Sequence, residues 1–232
     1  RDDRRIFTVF EALKCGVTPE RIHEITRIDL FFLYKLQNLA KLEKELETDF
    51  SPALYERAKK LGYPDSAIRH LTGIKELPHL TASYKTVDTC GAEFSAETPY
   101  FYSTYDRTCE ARELARSGRP CIMVLGSGPI RIGQGIEFDY SSVHCVWTLK
   151  QLGYDVVIVN NNPETVSTDY DTADRLYFEP LCEEDVMNII EVEKPVGVVV
   201  AFGGQTAIRL TRFLDRHGIP ILGTSAEGID MA

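Results

Sequence analysis

Three stretches of the chain hold the residue types that could do chemistry. Gly126-Ser127-Gly128-Pro129-Ile130-Arg131-Ile132-Gly133-Gln134-Gly135 is a glycine-rich turn, and Glu137-Phe138-Asp139-Tyr140 follows it directly. Asn160-Asn161-Asn162-Pro163-Glu164-Thr165 leads into Ser167-Thr168-Asp169-Tyr170-Asp171, and Gly203-Gly204-Gln205-Thr206 is a second glycine turn. A glycine turn at the end of an apolar strand lets backbone N–H groups approach a phosphate. Carboxylates gathered at one edge could hold a metal, line a polar passage or cap helix starts. Capping explains any one of these acids and explains the whole set poorly, so the reading places a site at this edge.

The glycine turn is neither of the common nucleotide loops. The third glycine of G-x-G-x-x-G falls on Arg131, and Pro129 removes an N–H that could have held a phosphate. No Gly-Lys-Ser/Thr follows, so it is not a P-loop. Val159 is followed by three asparagines where a ribose-binding acid would stand. Gly126, Gly128, Gly133, Gly203 and Gly204 are therefore read as turn-forming residues at strand ends. A dinucleotide-dependent dehydrogenase is disfavoured, and no catalytic, cofactor-binding or metal-ligating residue is assigned.

The elements that must hold these stretches alternate. Cys121–Leu125, Asp155–Val159, Arg175–Phe178, Pro195–Phe202 and Pro220–Leu222 read as strands. Tyr140–Leu152, Glu183–Glu193 and a segment from the second glycine turn to His217 read as helices between them. Continuous apolar strands with helical crossovers predict a Rossmann-like parallel sheet covered on both faces, with ligands at the carboxyl ends of its strands.

The first third predicts helices instead. Thr18-Pro19, Asp29, Ser51-Pro52 and Asp65 are start signals, and Gly62 and Gly73 are stops. Leu30, Leu33, Leu36, Leu39, Leu42 and Leu46 recur at helical spacing, with Lys35, Lys41, Lys44 and Glu45 on the far side. Phe31 and Phe32 widen this stripe; core packing is the favoured explanation and an oligomer contact the other. Tyr84–Phe94 and Pro99–Tyr105 read as extended connecting segments, and Arg116–Pro120 as a linker. The expected fold is mixed: an α-helical domain with a connecting segment over 1–116, then an α/β parallel-sheet domain over 117–232.

The 232 residues carry 26 basic and 35 acidic side chains, a net charge of −9. Residues 1–118 are nearly balanced, with 18 and 19, whereas residues 119–232 hold 8 and 16. An acidic second half argues against duplex nucleic acid or an anionic membrane as partner, because both recruit clustered Lys and Arg. Tyr100, Tyr102 and Tyr105 lack the interleaved basic residues that single strands use. The apolar runs are too short to span a bilayer, and no secretory signal is visible. The six cysteines show no C-x-x-C, and the five histidines are scattered. Reduced thiols and a cytoplasmic (or mitochondrial) setting are expected. The opening Arg1 suggests a piece of something longer.

The sharper signal is a resemblance. Residues 126–140, Gly-Ser-Gly-Pro-Ile-Arg-Ile-Gly-Gln-Gly-Ile-Glu-Phe-Asp-Tyr, resemble a signature of the carbamoyl-phosphate synthase large-subunit family. So do residues 160–180, Asn-Asn-Asn-Pro-Glu-Thr through Arg-Leu-Tyr-Phe-Glu-Pro, with Phe202–Thr206 and Gly223-Thr224-Ser225 in agreement. Arg131, Glu164-Thr165 and Tyr170-Asp171-Thr172 resemble the second of that family's two synthetase halves, the one that phosphorylates carbamate. The helical start, Tyr84–Phe94 and Tyr102–Tyr105 resemble the oligomerisation domain between the halves.

The resemblance implies a piece of an ATP-dependent ligase that makes carbamoyl phosphate from bicarbonate, glutamine or ammonia, and two ATP. It implies the end of the oligomerisation domain followed by a pre-ATP-grasp domain, with the ATP-grasp catalytic site outside the segment. ATP and Mg (or Mn) are implied for the parent, and no bound cofactor for this piece, which alone should be inactive. The implied partners are the parent's ATP-grasp domains, a glutaminase subunit or domain, and further copies in a homo-oligomer. The family serves arginine or pyrimidine biosynthesis. It passes carbamate between its two active sites through an internal tunnel, and the positions matching Gly135, Glu137 and Glu164 are implied to line it. A competing expectation is a free-standing assembly module with a Rossmann-like domain and no catalysis.

Overall fold

A computed structural model describes residues 3–94, 98–128 and 136–231. Pro129, Arg131, Gly133 and Gly135 lie outside the described residues. The chain forms two compact units, Arg1–Leu80 and Thr81–Ala232.

The first unit is helical: α1 (Arg5–Lys14), α2 (Pro19–Thr26), α3 (Leu30–Thr48), α4 (Pro52–Lys60) and α5 (Asp65–Thr72). Three of the four expected caps make their bonds, whereas Asp65 is the first residue of α5 and the N-cap there is Pro64, which makes no side-chain bond. Thr18 accepts from the Arg21 N–H at 3.3 Å, Asp29 from Phe31 at 2.8 Å and Ser51 from Leu54 at 3.2 Å. Gly73, with φ of 71°, closes α5. The start of α1 has no side-chain cap, which is why no start signal announces it. Its Val9 and Leu13 are nevertheless buried with Ile22, Leu33 and Ala40, so tertiary packing holds it. Leu42 and Leu46 build a second core with Tyr55, Ala58 and Ile68. Phe31 and Phe32 correct the core-packing expectation. They are 60% and 59% exposed, so they lie outside both cores.

The second unit is built on a seven-stranded sheet. Its strands are β1 (Ser83–Thr86), β2 (Tyr100–Thr104), β3 (Cys121–Leu125), β4 (Asp155–Val159), β5 (Arg175–Tyr177), β6 (Gly197–Val199) and β7 (Ile221–Leu222), in the order β1-β2-β5-β4-β3-β6-β7. Only β1 runs antiparallel to its neighbour. Helices α6 (Glu110–Glu113), α7 (Ile136–Gln151), α8 (Glu183–Glu193), α9 (Gly204–Ile208), α10 (Thr211–Arg216) and α11 (Ala226–Asp230) complete it. Successive strand residues point to opposite faces, and both faces are buried. Met123, Leu125, Val157, Val159 and Val198 pack on one side, and Ile122, Val124, Val156, Ile158 and Val199 on the other. This is why the strands read as unbroken apolar runs.

The stretch over 81–116, expected as a connecting segment of the first domain, supplies strands β1 and β2 of the sheet and helix α6. Two sets of contacts draw them in. Phe101 stacks on Tyr177 with centroids 5.1 Å apart, and Tyr84 meets the same ring edge-on at 4.9 Å. Arg175 donates to the carbonyls of Ala111 (2.6 Å) and Leu114 (3.0 Å), fastening α6 to the start of β5. The units therefore part after Leu80, where the reading placed the boundary at 116/117. The helix expected from Tyr140 begins at Ile136, and the single helix expected up to His217 is divided into α9 and α10.

Candidate functional site

The strand order places β3 between β4 and β6, so the chain reverses its winding direction beside β3. The carboxyl ends of strands at such a reversal form a crevice. Three loops meet there. Gly126 donates its N–H to Val159 O at 2.8 Å, and a Cβ on Gly126 would lie 2.6 Å from the Asn160 side chain. A Cβ on Gly203 would lie 2.7 Å from the carbonyl oxygens of both Leu125 and Gly126. Glycine at 126 and 203 thus lets the turns after β3, β4 and β6 touch. Gly128 and Gly204 have φ of 71° and 58°, where a side chain is strained, and a Cβ on Gly204 would meet the Phe138 ring at 3.7 Å.

Two fully buried side chains tie the loops together. Asn160 Oδ1 accepts from the N–H groups of Gly128 and Asn162, both at 3.2 Å, and its Nδ2 donates to Ser167 Oγ at 3.4 Å. Asp139 Oδ2 accepts from Thr165 Oγ1 at 2.6 Å and from the Ser167 N–H at 3.0 Å. Asp139 stands in the first turn of α7, yet its carboxylate bonds the turn after β4, including the Ser167 N–H in the first turn of a 3-10 helix over Val166–Thr168. Glu137, two residues earlier, is exposed. Glu164, beside Thr165, is exposed as well, and its N–H donates to Asn162 Oδ1 at 3.1 Å. The structure therefore sets Glu137 and Glu164 on two segments joined through Asp139. Gly133 and Gly135 lie outside the described residues.

Sequence reasoning missed two buried acids. Glu179, after β5, accepts from Ser103 through its N–H and, at 3.0 Å, its hydroxyl. Burial, with Asp185 nearby, pushes its carboxyl up to about 7. Glu193, at the end of α8, accepts from the Tyr177 hydroxyl and pairs with Arg175 at 3.1 Å and Arg116 at 3.2 Å. An acid that ends an otherwise amphipathic helix gives no sign that it will be buried. Around Glu193, at the amino edge of the sheet, lies a cavity of about 210 Å³ whose walls include Arg116, Arg119, Cys121 and Asp155. Arg119 and Asp155 are paired at 2.6 Å, and burial pushes the Cys121 thiol up to about 12, leaving it a poor nucleophile. Among the described residues no three His, Cys, Asp or Glu side chains gather as a metal site, and no helix is long and apolar enough to cross a membrane.

Known proteins match this chain along almost its whole length. Residues 1–85 match the carbamoyl-phosphate synthetase large chain, oligomerisation domain, and residues 118–231 match the carbamoyl phosphate synthase preATP-grasp domain. The whole chain is 53% identical to 22% of the carbamoyl phosphate synthase large chain of Lachnoclostridium phytofermentans. It is likewise 53% identical to 22% of the large chain of Agathobacter rectalis. The chain belongs to the carbamoyl phosphate synthase large-chain family. It spans about a fifth of the length of these large-chain relatives. Residues 86–117, between the two domain matches, are those that supply β2, α6 and Arg116 to the sheet.

Proposed function

We propose that the parent of this segment is the ligase that makes carbamoyl phosphate from bicarbonate, ammonia or glutamine nitrogen, and two ATP. Within it, the helical unit supplies assembly contacts and the carboxyl edge of the sheet supplies part of the wall of a carbamate passage. The carrying observation is the order of the two domain matches, oligomerisation then preATP-grasp, on a chain 53% identical throughout to large-chain relatives. That order fits the start of the second, carbamate-phosphorylating half. ATP and Mg (or Mn) then belong to the ATP-grasp domains of the parent, and a glutaminase subunit or domain delivers the nitrogen. In this reading the residues of this segment guide the intermediate, and the bonds are made in the ATP-grasp domains of the parent.

The physical case for a passage rests on Glu137 and Glu164. Both are exposed, and they stand on adjoining segments beside the strand ends. Carboxylates keep a wall hydrated, and their negative charge does not trap an anion such as carbamate. Glycine at 135 would leave the bore open. Glu137→Gln and Glu164→Gln in the full-length enzyme test the reading, because they remove charge and keep shape. Each should raise the ATP hydrolysed per carbamoyl phosphate formed above two, with bicarbonate-dependent ATP hydrolysis and ATP synthesis from carbamoyl phosphate retained. An unchanged ratio in both variants would overturn it.

A further inference from the structure

We propose that Asp139 is a positioning residue that sets the spacing between Glu137 and Glu164; this rests on the passage reading given above. Asp139 has no exposed surface and lies two residues after Glu137 on the first turn of α7. Its Oδ2 accepts from Thr165 Oγ1 at 2.6 Å and from the Ser167 N–H at 3.0 Å. Thr165 is the residue after Glu164, so one carboxylate oxygen joins the two segments that carry the two glutamates. Ser167 passes the connection on, since its Oγ accepts from Asn160 Nδ2, and Asn160 Oδ1 holds the Gly128 N–H. The loop after β4 is thus pinned from both sides, to α7 by Asp139 and to the glycine turn by Asn160. Helix α7 cannot shift against the Glu164 segment without breaking a buried, charge-assisted pair of bonds.

The tie needs an acceptor at Oδ2. The second oxygen, Oδ1, makes no hydrogen bond among the described residues. In Asp139→Asn the amide oxygen can take over both bonds and its NH2 group replaces the unpartnered oxygen. Asp139→Ala removes the acceptor altogether. Thr165→Val removes one of the two donors and leaves the other.

The test uses the full-length enzyme with Asp139→Ala, Asp139→Asn and Thr165→Val beside Glu137→Gln and Glu164→Gln. The readouts are overall synthesis, ATP consumed per carbamoyl phosphate, and the two partial reactions. For Asp139→Ala we expect overall synthesis to fall roughly tenfold or more, as misplacement by about an ångström costs elsewhere. Both partial reactions should persist and the ATP ratio should rise. Thr165→Val should shift the ratio the same way by less, and Asp139→Asn should stay close to wild type. A parallel fall of both partial reactions in Asp139→Ala, or an Asp139→Ala ratio that stays at two, would overturn the proposal. If Glu137→Gln and Glu164→Gln uncouple the reaction and Asp139→Ala does not, this inference alone fails. If neither glutamate variant uncouples it, the passage reading fails and takes this inference with it.

Discussion

Replacing Glu193 by alanine should destabilise the second unit by removing the acceptor at the centre of its amino-edge cluster. Glu193 is 3% exposed, and its partners differ in worth. The Arg116 side chain is 39% exposed, so its ion pair at 3.2 Å contributes little. The Arg175 side chain is 11% exposed, and the Tyr177 hydroxyl is fully buried, so these are the bonds whose loss is felt. Alanine leaves a buried cation and a buried hydroxyl without their acceptor, although Arg175 keeps the carbonyls of Ala111 and Leu114. That retention puts the cost near the low end of a broken buried pair, about 3 kcal/mol. With a urea slope of about 2 kcal/mol/M, the midpoint should fall by about 1.5 M. Trp147, the only tryptophan in the chain, lies on α7 in the same unit and reports the transition by fluorescence. Glu193→Gln keeps an acceptor for Tyr177 and should lose less. An alanine midpoint within about 0.3 M of wild type would refute the reasoning.

Three further outcomes follow from the geometry. Glu179 binds its proton more tightly folded than unfolded, because burial raises its pKa from 4.5 to about 7. Its stabilisation is therefore full below pH 4.5 and is lost as pH rises through 7, by about 3 kcal/mol in all, and Glu179→Gln should flatten that slope in urea titrations at pH 5 and 8. Gly203→Ala should cost about 2 kcal/mol by overpacking against Ala207 and two backbone carbonyls, whereas Gly153→Ala, with open space around it, should cost only about 1 kcal/mol through its positive φ. Phe31→Glu and Phe32→Glu should weaken self-association in sedimentation experiments with helical circular dichroism unchanged; loss of the helical signal would show that the rings hold the fold.

Much of this fold was legible because its signals are local. Capping residues announced α2, α3 and α4, and unbroken apolar runs announced β3 and β4. What stayed hidden depends on partners distant in the chain. Helix α1 lacks a cap and is held by packing. Strands β1 and β2 are short and rich in Tyr and Thr, and they become sheet only because Tyr84 and Phe101 find Tyr177. At the candidate site the polar clusters were visible as composition. The division of labour within them was not. Asp139 and Asn160 are inward ties and Glu137 and Glu164 are outward acids, and only burial separates the two kinds. Glu179 and Glu193 gave no sequence signal, since the groups that satisfy them come from elements far along the chain.

The central claim, that the carboxyl edge forms part of a carbamate passage, meets its most direct test at Gly135. A phenylalanine there in the full-length enzyme adds a ring at the position the passage reading assigns to the bore. The decisive measurement is ATP hydrolysed per carbamoyl phosphate formed, taken together with bicarbonate-dependent ATP hydrolysis and ATP synthesis from carbamoyl phosphate. The account predicts that Gly135→Phe nearly abolishes overall synthesis and drives the ratio far above two, while both partial reactions continue, because carbamate decomposes when it cannot move on. A loss of both partial reactions in step with overall synthesis would contradict it and leave Gly135 as a residue the turn alone requires.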